Sequence, residues 1–108
     1  MEPPPADPAQ EEAEVRRRAG VLRAFLDDDG RLHTIPARRS KRLVVLDHLA
    51  QLFEPGERFE ETEVNRRLRG VHDDVAALRR LLVDDGFLTR DRGVYWRSGG
   101  SVDLTSEQ

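Results

Sequence analysis

Hydrophobic residues recur along this chain with two different periods, and the change of period near residue 86 is its most telling feature. Between Val71 and Asp85 the apolar positions Val71, Val75, Leu78 and Leu82 keep the i, i+4, i+7, i+11 spacing of one buried helical stripe. Gly86 follows where a C′ glycine closes a last turn. Beyond it, Phe87-Leu88-Thr89 and Val94-Tyr95-Trp96 are short β-prone runs around Arg90-Asp91-Arg92-Gly93, whose glycine supplies the positive φ of a tight hairpin. Tyr95 and Trp96 must point to opposite faces of their strand, and Trp96 is expected in the core.

The same pattern predicts three helices upstream. Val15, Ala19, Leu22 and Leu26 make a stripe over about residues 10–26, supported by Glu12/Arg16 and Glu14/Arg18 as i, i+4 pairs. Asp27-Asp28-Asp29-Gly30 ends that helix, Arg31 to Ile35 reads as a short extended link, and Pro36 suits the first position of the next helix. The second helix, about residues 37–53, is expected to bury Leu43, Leu46, Leu49, Ala50 and Phe53 before Glu54-Pro55-Gly56 turns the chain. Arg58-Phe59 suits a single sheet rung. A third helix, about Glu61 to Leu68, carries Glu61 and Glu63 at the positive end of its dipole and closes at Gly70. The fourth follows at once. The fold class expected is α+β: a mostly helical winged helix-turn-helix with an extra N-terminal helix and a C-terminal β-hairpin as the wing.

Composition narrows the setting. At 108 residues the chain has room for one core, placed at residues 10–97. Residues 1–9 hold four prolines and two acids, and residues 98–108 are polar and unpatterned, so both ends are expected to be disordered tails. Absence of cysteine removes disulfides, thiolate metal sites and a cysteine nucleophile, and fits a reducing compartment. No apolar run is long enough to span a bilayer and no basic-then-apolar leader opens the chain, so a cytoplasmic protein without membrane contact is expected. The net charge of −3 conceals an uneven distribution. All 18 Lys and Arg lie within residues 15–97 against 14 acids, a net of +4, whereas the first fourteen residues carry −5 and the last eleven −2. Charge acts within about 10 Å at moderate salt, so the basic body decides which partners approach it.

Three features offer chemistry. The segment Arg31 to Arg42, R-L-H-T-I-P-A-R-R-S-K-R, has five cations (Arg31, Arg38, Arg39, Lys41, Arg42) and no acid. Four of them crowd the start of a helix, where the dipole disfavours positive charge, so an external anion would offset a local penalty. The bland reading is neutralisation by Asp27 to Asp29 or by the acidic N-terminal tail. The second feature is the outward side of the fourth helix, with Asp73, Ala76, Ala77 and Arg80 flanked by His72 and Arg79. Two alanines beside arginine permit close approach to a groove, while Asp73 and Asp74 in the first turn weaken sequence-specific reading. The third is the hairpin, with Arg90 and Arg92 at its tip.

Sharper chemistries fail. With Gly30 at the sixth position of a calcium loop the first ligand would be Phe25, which has no side-chain oxygen. His33, His48 and His72 lack a partner histidine at i+3 or i+4, so no metal is expected, and no nucleophile-base set or glycine-rich phosphate loop is present. No enzyme activity and no cofactor are expected.

The run Phe25 to Arg97, with I-P-x-R-x-x-K-R, D-x-x-x-L-R-R-x-L and Y-W-R, resembles a small bacterial domain family of unknown function that recurs at the C-terminus of arsenical-resistance-type and other transcriptional regulators. Arg38, Lys41, Arg42, Asp74, Leu78, Arg79, Arg80, Tyr95, Trp96 and Arg97 match its pattern. The resemblance implies a winged-helix-like fold and a regulatory setting; no activity is known for the family. Here only a helix and a tail precede the module, so an accessory role inside a longer regulator is not expected to transfer directly. Two functions stand against each other. One is DNA binding, with phosphate held by the basic residues and the fourth helix at a groove, in a homodimer if one module's surface is too small. The other is an interaction module for an acidic protein partner such as RNA polymerase, a ribosomal component or another regulator. Structured RNA is a weaker third.

Overall fold

The computed structural model describes residues 7–101, and its elements follow from local chemistry. Helix α1 (Pro8–Phe25) begins at Asp7, whose carboxylate accepts the Ala9 N–H at 2.9 Å, with Pro8 pre-set for the first helical position. Only its second half packs. Residues 8–17 are all exposed, whereas Val21, Leu22 and Phe25 turn to the core. The docked face is thus rotated from the expected stripe, and Val15 is 66% exposed. Neither expected i, i+4 ion pair forms; Glu14 holds Arg17 at 2.9 Å, and Arg18 reaches Asp47 on the next helix.

Helix α2 (Arg39–Ala50) starts after Pro36, not at it. Arg38 is extended (φ −75°, ψ 129°) and its carbonyl accepts the Arg42 N–H at 2.8 Å, so Pro36 is a buried residue of the approach. The helix closes at Ala50 because the N–H groups of Gln51, Leu52 and Phe53 bond carbonyls three residues back, and Phe53 enters the core from that tightened turn. Val44 and Val45 are buried as deeply as Leu46 and Leu49, while Leu43 is half-buried.

Strand β1 (Arg58–Glu60) leads directly into α3 (Glu61–Arg69), and α4 (Val75–Asp84) follows after a turn. Asp74 caps α4 by accepting the Ala77 N–H at 3.1 Å. Val71 therefore lies outside the helix despite its spacing. It plugs the α3–α4 turn, buried, with its carbonyl accepting the Leu32 N–H at 2.8 Å.

Strands β2 (Leu88–Asp91) and β3 (Val94–Arg97) are joined by Arg92 and Gly93 at φ of 53° and 81°, the two left-handed positions of a two-residue hairpin turn. Strand β1 pairs with the other edge of β3, giving an antiparallel sheet in the order β1-β3-β2. Phe59, the apolar residue of β1, lies opposite Tyr95, so the pleat puts both on the inner face and sends Trp96 outward. Tyr95, not Trp96, is accordingly the core residue: it is 1% exposed and donates its hydroxyl to Glu61 at 2.8 Å. Trp96 lies on the outer face beneath the Arg58 guanidinium, 4.7 Å from its ring centroid. The architecture of the described residues is α+β, four helices and a three-stranded antiparallel sheet that ends in a hairpin.

Two polar clusters tie the elements together. Arg67 lies over both Phe53 and Phe59, which meet edge to face at 5.4 Å, and bonds Glu63, Glu54 and the Leu52 carbonyl. Arg66 and Arg67 together hold the Glu63 carboxyl down to a pKa of about 2. The second cluster surrounds Asp47, a buried carboxylate of α2. Its oxygens accept the Ser101 N–H at 2.6 Å, the Ser101 hydroxyl at 2.7 Å and the Arg18 guanidinium. Burial raises this carboxyl's pKa, but the bonds from Ser101 and Arg18 outweigh burial and leave it below the ordinary value. Residues 98–101, expected to fray, are thus docked. The strap passes so close to Gly86 that a Cβ on Gly99 would sit 2.5 Å from the Gly86 carbonyl oxygen. The remaining tail residues, 1–6 and 102–108, lie outside the described residues.

Candidate functional site

The five-cation segment is not one patch. Arg31 bonds the Arg69 carbonyl and Asp73, each at 3.0 Å, which places it at the α3–α4 turn. Arg39 and Arg42 instead approach Asp85 at 3.6 and 3.7 Å, at the C-terminal end of α4. The two ends of α4 are roughly 15 Å apart at 1.5 Å per residue, so a run contiguous in sequence is divided between them. Arg38 and Lys41 are exposed and make no ion pair within the described residues.

The neutralising acid differs from the expected ones. Asp27 turns inward on its own loop, where one carboxylate oxygen accepts the N–H groups of Asp29 and Arg31 at 2.9 Å each. The backbone bond from Arg31 is the main reason its carboxyl titrates below the usual range. Asp85 does the work near α2, and incompletely. Arg42 Nε and Asp85 Oδ2 are buried and 3.7 Å apart, beyond hydrogen-bond reach, and neither has another partner among the described residues. The α2 N-terminus itself has no side-chain cap and no acid in its first turn. Its first N–H groups therefore point outward beside Arg38, Arg39 and Lys41, an arrangement suited to a phosphate or carboxylate oxygen.

A second basic site lies between α4 and β2. Ala76, Arg79, Arg80, Val83, Asp84, Arg90 and Tyr95 line a cleft of about 250 Å³. The register explains Arg90: opposite Tyr95 on the inner side of the sheet, it belongs to the strand facing α4 and not to the hairpin tip. Its guanidinium stands 6.0 Å from the Tyr95 ring. Arg79 is committed inward, donating to Asn65 at 2.5 Å and lying 3.8 Å from Glu61. Arg80 is exposed and unpaired within the described residues. Burial, reinforced by the Glu61 carboxylate, raises the Tyr95 pKa, so the cleft wall stays a neutral phenol at physiological pH. Arg92 occupies the tip and borders Glu60, Glu61 and Thr62 on the other side of the hairpin.

The structure thus unites Ala76, Arg79, Arg80 and Arg90, keeps Arg38, Arg39, Lys41 and Arg42 together near the far end of α4, and separates Arg31 and Arg92 from both. The acids at the start of α4 are engaged: Asp74 as the cap and Asp73 with Arg31. The sequence did not single out Asp47 and Arg67, and it marked Arg18 and Arg58 only as a helix pair member and a strand residue. Asp47 had a signal, as the one carboxylate inside the apolar run V-V-L-D-H-L-A. Among the described residues no group of His, Asp and Glu side chains could hold a metal ion, and no helix is long and apolar enough to cross a membrane.

No curated protein and no solved structure matches the chain significantly. A family described as "Uncharacterized protein conserved in bacteria (DUF2087)" matches residues 31–97, from the first cation of the basic segment to the last residue of β3. The chain belongs to that family.

Proposed function

We propose that residues 31–97 are a winged helix-turn-helix that binds nucleic acid, with DNA as the main target and a transcriptional role. In this reading α3 and α4 are the two helices of the motif and the β2–β3 hairpin is the wing. The order helix, strand, helix, helix, hairpin and the sheet order β1-β3-β2 support it. The observation that carries it is the cleft that Arg80 and Arg90 line together with a small residue, Ala76. Ala76 lets backbone approach, and the guanidiniums are placed for phosphate oxygens. Arg38 and Lys41 extend the contact beyond the end of α4, and Arg92 adds a cation at the wing tip.

Most of these contacts serve phosphate, so the binding expected is weakly sequence-specific. Arg79 faces inward and Asp74 caps the helix, which leaves α4 few side chains for base edges. Fluorescence anisotropy with a labelled duplex tests the site: Arg80→Ala with Arg90→Ala should weaken binding at least about tenfold at low salt and reduce the salt slope by about 2. Unchanged affinity in that double variant would remove the cleft from the interface.

Docking of an acidic protein partner is the second reading. Asp84 in the cleft and Asp85 against Arg39 and Arg42 favour it, because they lower the positive potential that a polyanion would meet. A single protein recovered from nuclease-treated lysate by wild type, and lost with Arg38→Ala and Lys41→Ala, would support this reading over the first.

A further inference from the structure

Helix α1 carries a ten-residue stretch, residues 8–17, in which every residue is exposed. The stretch is the N-terminal part of one 18-residue helix whose other half docks on the core, so it is held helical but left uncovered. Pro8, Glu11, Glu12, Val15 and Arg16 line one shallow groove along it, at the spacing of a single helix face, with the exposed Val15 at its centre. The charges are segregated: Asp7, Glu11, Glu12 and Glu14 precede Arg16, Arg17, Arg18 and Arg23. The ion pairs that α1 makes are Glu14 with Arg17 and Arg18 with Asp47, which leaves Glu12 and Arg16 on the Val15 face without a partner in the described residues.

We propose that this half of α1 is a self-association surface, occupied by the same segment of a second copy running antiparallel. A parallel pair would set acids against acids and arginines against arginines. An antiparallel pair reverses this and lays the acidic half of each helix along the basic half of the other. Glu12 and Arg16 lie one turn apart on the same flank. Like flanks face each other across an antiparallel pair, so Glu12 of each copy meets Arg16 of the other while the two Val15 side chains meet near the twofold axis. One short helix pair buries less than the roughly 1,000 Å² of a firm interface, so the dimer is weak and sensitive to salt. This surface stands apart from the α4–β2 cleft, and its existence does not depend on nucleic-acid binding.

Sedimentation equilibrium on the full chain tests the interface. The mass should rise with concentration from 12.3 kDa toward twice that value at low salt and fall back as salt is added. Glu12→Arg and Arg16→Glu should each weaken the dimer, and the double variant E12R/R16E should restore it. Val15→Asp should raise the dissociation constant about tenfold or more, because the symmetry counts the lost burial twice. All three positions are exposed, and circular dichroism will show the fold retained. A chain that stays monomeric at every concentration overturns the proposal. So does a dimer that these substitutions leave unchanged, which would place the interface elsewhere.

Discussion

Asp47 shows how one side chain joins distant parts of the chain. It sits on α2 among valines and leucines, yet its oxygens are satisfied by Arg18 from α1 and by Ser101 from the C-terminal strap. Asp47→Asn keeps the size, removes the charge and turns an acceptor into a donor facing Ser101 N–H. The expected loss is roughly 1–3 kcal/mol of folding stability at pH 7, measured by urea unfolding. The pH dependence has a definite sign. The folded-state pKa is lowered, so the contribution is complete above the unfolded value of about 3.9 and disappears as pH falls through the folded value. Wild type and Asp47→Asn should therefore converge as the pH falls through the folded-state value of Asp47; a gap that stays constant from pH 7 down to acid unfolding would mean that the charge is irrelevant. The sequence contained this residue in plain sight as the odd acid of an apolar run. Its partner was not legible, because Ser101 lies 54 positions away in a segment whose glycines read as a tail and serve as a close approach to Gly86.

Among the elements, the hairpin and the order of helices could be read from periodicity because each obeys a local rule. The glycine turn at Arg92-Gly93 and the C′ glycine at Gly86 need positive φ, and both positions have it. The starts of α2 and α4 could not be placed, since Pro36 and Val71 carry helical signals but are used in turns. Which residue of Tyr95 and Trp96 is buried depended on Phe59 across the sheet, a contact of long range. The basic segment was visible as charge, while its division between the two ends of α4 arises only from packing. One consequence is testable at Asp85, which restrains Arg39 and Arg42 together. Asp85→Asn should lower stability by roughly 1–2 kcal/mol while freeing up to two cations, and so steepen the salt dependence of DNA binding by as much as about 2. Weaker DNA binding in a folded Asp85→Asn protein would argue that these arginines stay buried in the complex.

At the level of the complete chain, the net charge of −3 describes the protein poorly. The first fourteen residues carry five acids and no cation, while unpaired cations of the described residues lie at the start of α2, in the α4–β2 cleft and at the hairpin tip. Five cations remain available for phosphate: Arg38, Lys41, Arg80, Arg90 and Arg92. Each phosphate contact releases counterions, and five of them give a slope of about −4.5 in log affinity against log salt for duplex DNA. Anisotropy titrations of the wild-type chain against a random-sequence duplex, repeated from about 50 to 200 mM salt, will measure that slope. Binding at the low end with a slope near −4.5 is expected; no binding there, or an affinity indifferent to salt, would contradict nucleic-acid recognition by this fold.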